Sequence, residues 1–202
     1  FEPVAPPTQK ALFGFGTTGS YTAVTNLVNS SGVVGSDVTG VGTARHGLAA
    51  ANFGGDKAIF GYGYSSAARV ATTNLVSNEG VVASDTSGVG SVRYHLAAAT
   101  FGGDKAIFGY GNTGSMVSIT NLVSSSGVVA TDTTGVGTAR NGLGAAEFGV
   151  GLAIFAYGNG GSDVSMSNLV SNLGVVATDV SGVGTARRFL AAASYGGDKA
   201  IF

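Results

Sequence analysis

The sequence predicts an all-β fold built from repeated, four-stranded antiparallel units. Three observations carry this: landmarks that recur every 47 or 48 residues, short apolar runs fenced by turn residues inside each repeat, and no sustained helical periodicity. The marker Lys-Ala-(Ile/Leu)-Phe begins at Lys10, Lys57, Lys105 and Lys199, with a degenerate copy at Leu152–Phe155. Asn-Leu-Val follows at Asn26, Asn74, Asn121 and Asn168, and Gly-Val-Val at Gly32, Gly80, Gly127 and Gly174. An aspartate comes next at Asp37, Asp85, Asp132 and Asp179, then Gly-Val-Gly at Gly40, Gly88, Gly135 and Gly182. An arginine closes each unit at Arg45, Arg93, Arg140 and Arg187. Six landmarks held in phase four times define the repeat.

Each element can be justified from one repeat. The run Leu48–Phe53 contains three consecutive alanines, and small side chains suit the strand where units crowd together. Gly54-Gly55-Asp56 then supplies a tight hairpin, because glycine reaches positive φ without steric cost. The run Ala58–Tyr62 carries Ile59, Phe60 and Tyr62, the bulk needed to fill space between units. Ala71–Val76 and Gly80–Asp85 complete the set, separated by Ser77-Asn78-Glu79. Runs of this length, rich in β-branched and aromatic residues and bounded by Gly, Asn, Asp and Ser, read as strands. Glycine interrupts every run, which disfavours helix. Four strands in about 47 residues is the arithmetic of a β-propeller blade; leucine-rich and ankyrin repeats are shorter or helical.

The stretch from Arg45 to Gly63 resembles the kelch repeat: an arginine, a small-residue strand, a hairpin, a second strand and a glycine-rich end. The likeness covers Lys10 to Phe202. It departs where the paired glycines become Gly61-Tyr62-Gly63 and where the kelch tryptophan is missing, since the chain has no Trp. The near-identical Gly/Ser/Thr-rich repeats, with Gly-Tyr-Gly and Gly-Val-Gly-Thr-Ala-Arg, are similar in style to virion-associated repeat proteins of tailed bacteriophages. The resemblance implies a propeller and a structural or host-recognition role.

Domain boundaries follow from the markers. Residues 1–9 read as an extended, polyproline-like lead-in. Residues 10–202 form one propeller domain with repeats 10–56, 57–104, 105–151 and 152–198 and a terminal fragment 199–202. The leading expectation is four blades, closed by a mixed blade in which Phe189–Tyr195 joins Ala11–Phe15, Val24–Val28 and Val33–Asp37. The marker strand is present at both ends, so Lys199–Phe202 competes for the slot of Lys10–Phe13. Exchange of terminal strands between copies, and so self-association, is the alternative.

Composition narrows the function classes. The net charge is −1, which gives no basis for binding nucleic acid. The chain has no cysteine, so disulfides and thiolate-held metals are excluded. No run of 18 apolar residues is present, so no membrane insertion is expected. The start, from Phe1 to Pro7, lacks the basic and apolar segments of a signal peptide. Beginning at Phe rather than Met is expected of a processed chain or of a segment inside a longer one. Glycine, at 35 of 202 residues, serves turns within an ordered repeat rather than disorder.

Candidate residues fall into two groups. Of 21 charged residues, 15 stand at repeat landmarks. Asp37, Asp85, Asp132 and Asp179 are expected to form turns through bonds to nearby backbone amides, with a pairing to Arg45, Arg93, Arg140 and Arg187. The rival reading is a ring of carboxylates holding a cation. His46 and His95 occupy adjacent rather than equivalent places, and no zinc site, other metal or cofactor is expected. No nucleophile elbow or phosphate loop is present, so no catalytic residue is assigned and the protein is expected not to be an enzyme.

The second group varies between repeats. It lies in the loop after the second strand, where Tyr21, Tyr64, Arg69, Asn112, Asn159 and Asp163 are the candidate ligand contacts. These side chains can hydrogen-bond and stack on sugars. The positions after each arginine (His46, Tyr94-His95, Asn141, Arg188-Phe189) also vary and are placed at one mouth of the ring. The expected role is a non-enzymatic virion-associated or extracellular protein that contacts surface glycans or other virion proteins. The alternatives are a kelch-type protein-interaction module and, last, a propeller-based glycan-acting enzyme.

Overall fold

The computed structural model describes residues 10–202; the lead-in 1–9 lies outside the described residues. The fold is all-β, a succession of small antiparallel sheets. The described residues contain no helix long and apolar enough to cross a membrane.

The repeat pattern becomes the sheet pattern. The complete units pair a first strand (Ala49–Phe53, Ala97–Phe101, Gly144–Phe148) with a second (Lys57–Gly61, Lys105–Gly109, Leu152–Ala156), and the second with a third (Thr73–Val76, Thr120–Val123, Ser167–Val170). The fourth run is not a continuous strand. It touches the third strand at two bridges per unit, such as Val76 with Val82 and Thr73 with Thr86. The first unit contributes Ala11–Thr17 paired with Tyr21–Val28, and the last contributes Ala193–Tyr195 paired with Lys199–Ile201. Gly54-Gly55 and its counterparts take positive φ at each hairpin tip, as the turn requires.

Successive units pack face to face. The alanine-rich strand Ala49–Phe53 lies against Ala97–Phe101, which lies against Gly144–Phe148, which lies against Ala193–Tyr195. Backbone bonds stitch the tips together: Gly54 N–H donates to Asp104 O (2.7 Å), Gly102 N–H to Gly151 O (2.8 Å) and Gly149 N–H to Asp198 O (2.8 Å). The second strand fills the interface. Ile59, Tyr62, Ile107, Phe108, Tyr110 and Phe155 are fully buried. Phe108 meets Tyr62 edge-on at 5.2 Å, and Phe155 meets Tyr110 in the same way. Gly61 and Gly109 make this possible, since a Cβ there would sit 2.6 and 2.7 Å from the incoming ring. Where Ala156 replaces glycine, Phe202 stands 5.9 Å from Tyr157 and is tilted.

The ends depart from the expected mixed blade. Ala193–Tyr195 pairs with its own hairpin partner Lys199–Ile201, and Ala11–Thr17 pairs with Tyr21–Val28. No strand of the first unit packs extensively on a strand of the last among the described residues. A hairpin closed by Gly196-Gly197-Asp198 loses far less chain entropy than a joint across most of the chain, because closure cost grows with loop length.

Candidate functional site

The repeated charges are tied into one construction, made once per unit. Arg45, Arg93 and Arg140 are 0% exposed. Each guanidinium lies over an aromatic ring of the same repeat: Arg45 over Phe15 at 4.2 Å, Arg93 over Tyr62 at 4.1 Å and Arg140 over Tyr110 at 4.2 Å. Those rings belong to residues in the left-handed region (φ 62–64° at Phe15, Tyr62, Tyr110 and Tyr157), just past the end of the marker strand in the complete units and at a bulge within Ala11–Thr17 in the first. Arginine Nη2 then donates to an asparagine Oδ1: Arg45 to Asn74 (2.7 Å), Arg93 to Asn121 (2.6 Å) and Arg140 to Asn168 (2.7 Å). Each asparagine Nδ2 passes a hydrogen bond to an aspartate Oδ1 at 2.9 Å, on Asp85, Asp132 and Asp179.

The aspartates complete the chain of bonds. Asp85 accepts from the amide and hydroxyl of Thr43, Asp132 from Ser91 and Asp179 from Thr138, each hydroxyl at 2.6 Å. The amide that Asp85 holds is therefore 42 residues upstream, not in a nearby turn, because the segment before the first strand runs beside the fourth. Direct ion pairs are long, 3.8 Å for Arg93 with Asp132 and 3.9 Å for Arg140 with Asp179. The asparagine carries most of the connection. Burial works to raise the Asp85, Asp132 and Asp179 carboxyls, but hydrogen bonds from Thr or Ser and from Asn, with the arginine field, hold them below the ordinary carboxylate value. Burial brings Arg45 down to about 10, leaving it charged at neutral pH. Asp37 has Asn26 as its side-chain partner (2.8 Å), and Arg187 stacks on Tyr157 (4.0 Å) and donates to Phe202 O.

These carboxylates do not converge. Among the described residues no group of three His, Cys, Asp or Glu side chains is placed to hold a metal ion. An apolar groove of about 470 Å³ lies between two units, lined by residues such as Phe101, Leu122, Val128 and Leu173. Lys105 is its one ionisable lining residue, so it offers shape without chemistry.

The variable residues gather along one edge. His46 pairs with Tyr64 across a two-residue ladder, Tyr94 bridges Asn112, and Asn141 bridges Asn159. Each loop folds back on itself, so Tyr64 faces Arg69, Asn112 faces Met116 and Asn159 faces Asp163. Long-range bonds within each repeat fix the edge: Gly63 N–H donates to Arg93 O and Gly111 N–H to Arg140 O, both 2.9 Å. A second ladder runs His95 N–H to Gly47 O, Gly142 N–H to His95 O and Phe189 N–H to Gly142 O.

One half of this edge is aromatic. Tyr21 stacks near His46 (4.8 Å), His46 lies 6.3 Å from Tyr94, Tyr64 lies 5.5 Å from Tyr94, and Tyr94 contacts His95 (4.3 Å). His95 meets Phe189 edge-on at 4.9 Å. The Arg69 guanidinium sits 5.4 Å from the Tyr94 ring centre and 6.0 Å from that of Tyr64. Burial, then the neighbouring His46, pushes His95 below the usual histidine value. The other half is amide and ionic: Asn112 Oδ1 caps Gly114 N–H, Asn159 Nδ2 donates to Asp163 (3.0 Å), and Asp163 meets Arg188 (3.6 Å).

The structure thus brings Tyr21, Tyr64 and Arg69 together, sets Asn112 beside Tyr94, and places Asn159 and Asp163 on the other half of the edge, where Asp163 meets Arg188 beside Phe189. His46, Tyr94, His95 and Phe189, noted in the sequence for their variability alone, supply four of the six rings of the aromatic row. Their backbone gives a further signal. The position two after each arginine is left-handed throughout, at Gly47 (61°), His95 (53°), Gly142 (61°) and Phe189 (55°). Two repeats meet that demand with glycine, whereas two carry rings at a steric cost. No protein-family model matches this chain, and no curated protein matches it either.

Proposed function

We propose that this protein is a non-enzymatic recognition scaffold, in which stacked units of the kelch-like blade kind display a fixed aromatic edge that binds surface glycans. One observation carries the reading: Tyr21, His46, Tyr64, Tyr94, His95 and Phe189 form a continuous row of rings at 4.3 to 6.3 Å, on backbone hydrogen-bonded between units. Ring faces on a rigid support stack against the C–H faces of sugars, and neighbouring amides and hydroxyls take up the sugar hydroxyls. Glycine fills the equivalent left-handed position at Gly47 and Gly142, so the rings of His95 and Phe189 are not a demand of the repeat, which supports a role for them at the edge. Asp85, Asp132 and Asp179 are engaged in the Arg–Asn–Asp construction, and Asp56, Asp104 and Asp198 each pair with the adjacent lysine, which weighs against the enzyme reading. The virion or extracellular setting rests on the repeat style.

A glycan array probed with the intact chain tests the reading. Tyr64→Ala is expected to lose binding while circular dichroism remains that of the parent. Retention of every bound glycan by Tyr64→Ala would remove the aromatic edge from the account.

The finer architecture in this proposal is a propeller ring of four blades, closed within one chain or through strands exchanged between copies. Sedimentation of this chain checks it. A monomer favours closure within the chain, a discrete dimer favours exchange, and open-ended polymers overturn the closed ring.

A further inference from the structure

Arg69 is the arginine of the described residues that belongs to no repeat position and meets no acid through a landmark contact. Arg45, Arg93, Arg140 and Arg187 stand at the repeat position, and Arg188 has Asp163 at 3.6 Å. Lys57, Lys105 and Lys199 each pair with the preceding aspartate. Arg69 is half-buried, and no acid lies within 4.0 Å of it among the described residues. Its Nε is buried without a hydrogen-bond partner, as the interior Arg93 Nε is, whereas Nη1 and Nη2 are not buried and make no hydrogen bond among the described residues. A guanidinium is a planar fork of donors that stays charged, and its two outer nitrogens are here open to a ligand. The group that suits them is an oxyanion with two coplanar oxygens, which a carboxylate supplies bidentately.

The setting narrows the carrier of that carboxylate. Tyr64 and Tyr94 lie on the guanidinium at 6.0 and 5.4 Å, and Tyr21 and His46 continue the row. A ligand that meets Arg69 therefore also meets ring faces suited to a saccharide. We propose that the aromatic edge selects a carboxylate-bearing saccharide, a uronate or a sialate, with Arg69 holding the carboxylate and Tyr64 and Tyr94 stacking on the sugar. This rests on the glycan reading above and adds the ligand's charge.

The test pairs acidic and neutral probes on the intact chain by calorimetry: tri-galacturonate against its carboxyl-reduced galactotriose, and sialyllactose against lactose. The expected result is a preference of about tenfold or more for one acidic member, the scale of one charge-assisted bidentate pair. The two pairs separate the uronate from the sialate source. Arg69→Ala is expected to erase the preference and Arg69→Lys to keep part of it, since lysine retains charge without the fork. Tyr64→Ala should weaken acidic and neutral members alike. Equal affinity within both pairs, or a preference that survives Arg69→Ala, overturns the assignment of Arg69 while the saccharide reading stands. Failure of the folded chain to bind any of the four removes both.

Discussion

The interior Arg–Asn–Asp construction and the aromatic edge are made of similar chemistry put to opposite uses. Both place a guanidinium on a tyrosine face. In the interior, Arg93 lies over Tyr62 at 4.1 Å, is sealed from water and donates from Nη2 to Asn121 at 2.6 Å, although its Nε, like that of Arg69, has no partner. At the edge, Arg69 lies 5.4 Å from Tyr94 with a buried Nε left unpartnered. The first arrangement recurs with nearly the same distances in every complete unit. The second occurs once. The difference lies in the outer nitrogens: each interior arginine hands Nη2 to an asparagine, whereas the Arg69 guanidinium makes no hydrogen bond or ion pair among the described residues.

The largest effect should come from breaking the interior copy. Arg140→Ala leaves Asn168 and the Asp179 carboxylate without their buried cation, and loss of one partner from a buried ionic set costs about 3–5 kcal/mol. Chemical denaturation should show that loss. A cost under about 1 kcal/mol would mean that the construction is decorative.

A smaller effect, of opposite sign, should come from the edge. His95→Gly removes a non-glycine residue from φ 53° and is expected to stabilise the fold by up to about 1 kcal/mol, offset in part by lost ring contacts. The same variant should bind glycans less well. Stability and binding moving together rather than apart would dissolve the contrast between the two regions. The smallest effect on stability belongs to Tyr64→Ala, whose ring is only partly buried, and its consequence is for binding.

The His95 contribution has a pH sign. Its folded value is depressed by burial first and His46 second, so the unfolded chain takes up a proton more readily below the ordinary histidine value of about 6.5. Stability from this group is complete above that value and falls on acidification through it. The His95→Gly comparison should therefore widen in favour of the variant as pH drops from 7 toward 5. An unchanged difference would show that His95 does not feel its surroundings.

Much of the fold could be read in the residues. The strand runs, the Gly-Gly-Asp hairpins and the crowding of alanine strands follow from local periodicity and side-chain size, and Ala49–Phe53 and Lys57–Gly61 fall within a residue of the runs that predict them. The fourth run was legible only in part. Its Val and Asp residues are regularly placed, yet it makes isolated bridges because Asp85 and the glycines turn it toward Thr43 rather than along the third strand. For the site, repeat variation pointed to Tyr21, Tyr64, Arg69, Asn112, Asn159 and Asp163 as a set. It could not say that the first three lie on the aromatic half of the edge with His46 and Tyr94 while Asn159 and Asp163 lie on the other half, since that depends on which units stand side by side.

The sequence by itself determined the unit: its length, its strands, its turns and its class as all-β. Those depend on contacts a few residues apart, where periodicity and glycine placement act directly. Only the tertiary structure decided that the arginine closing a repeat lies on the aromatic ring near that repeat's start, that an aspartate reaches an amide 42 residues away, and that the terminal hairpin pairs with itself. Such contacts join groups far apart in the chain, and their partners are set by how whole sheets stack.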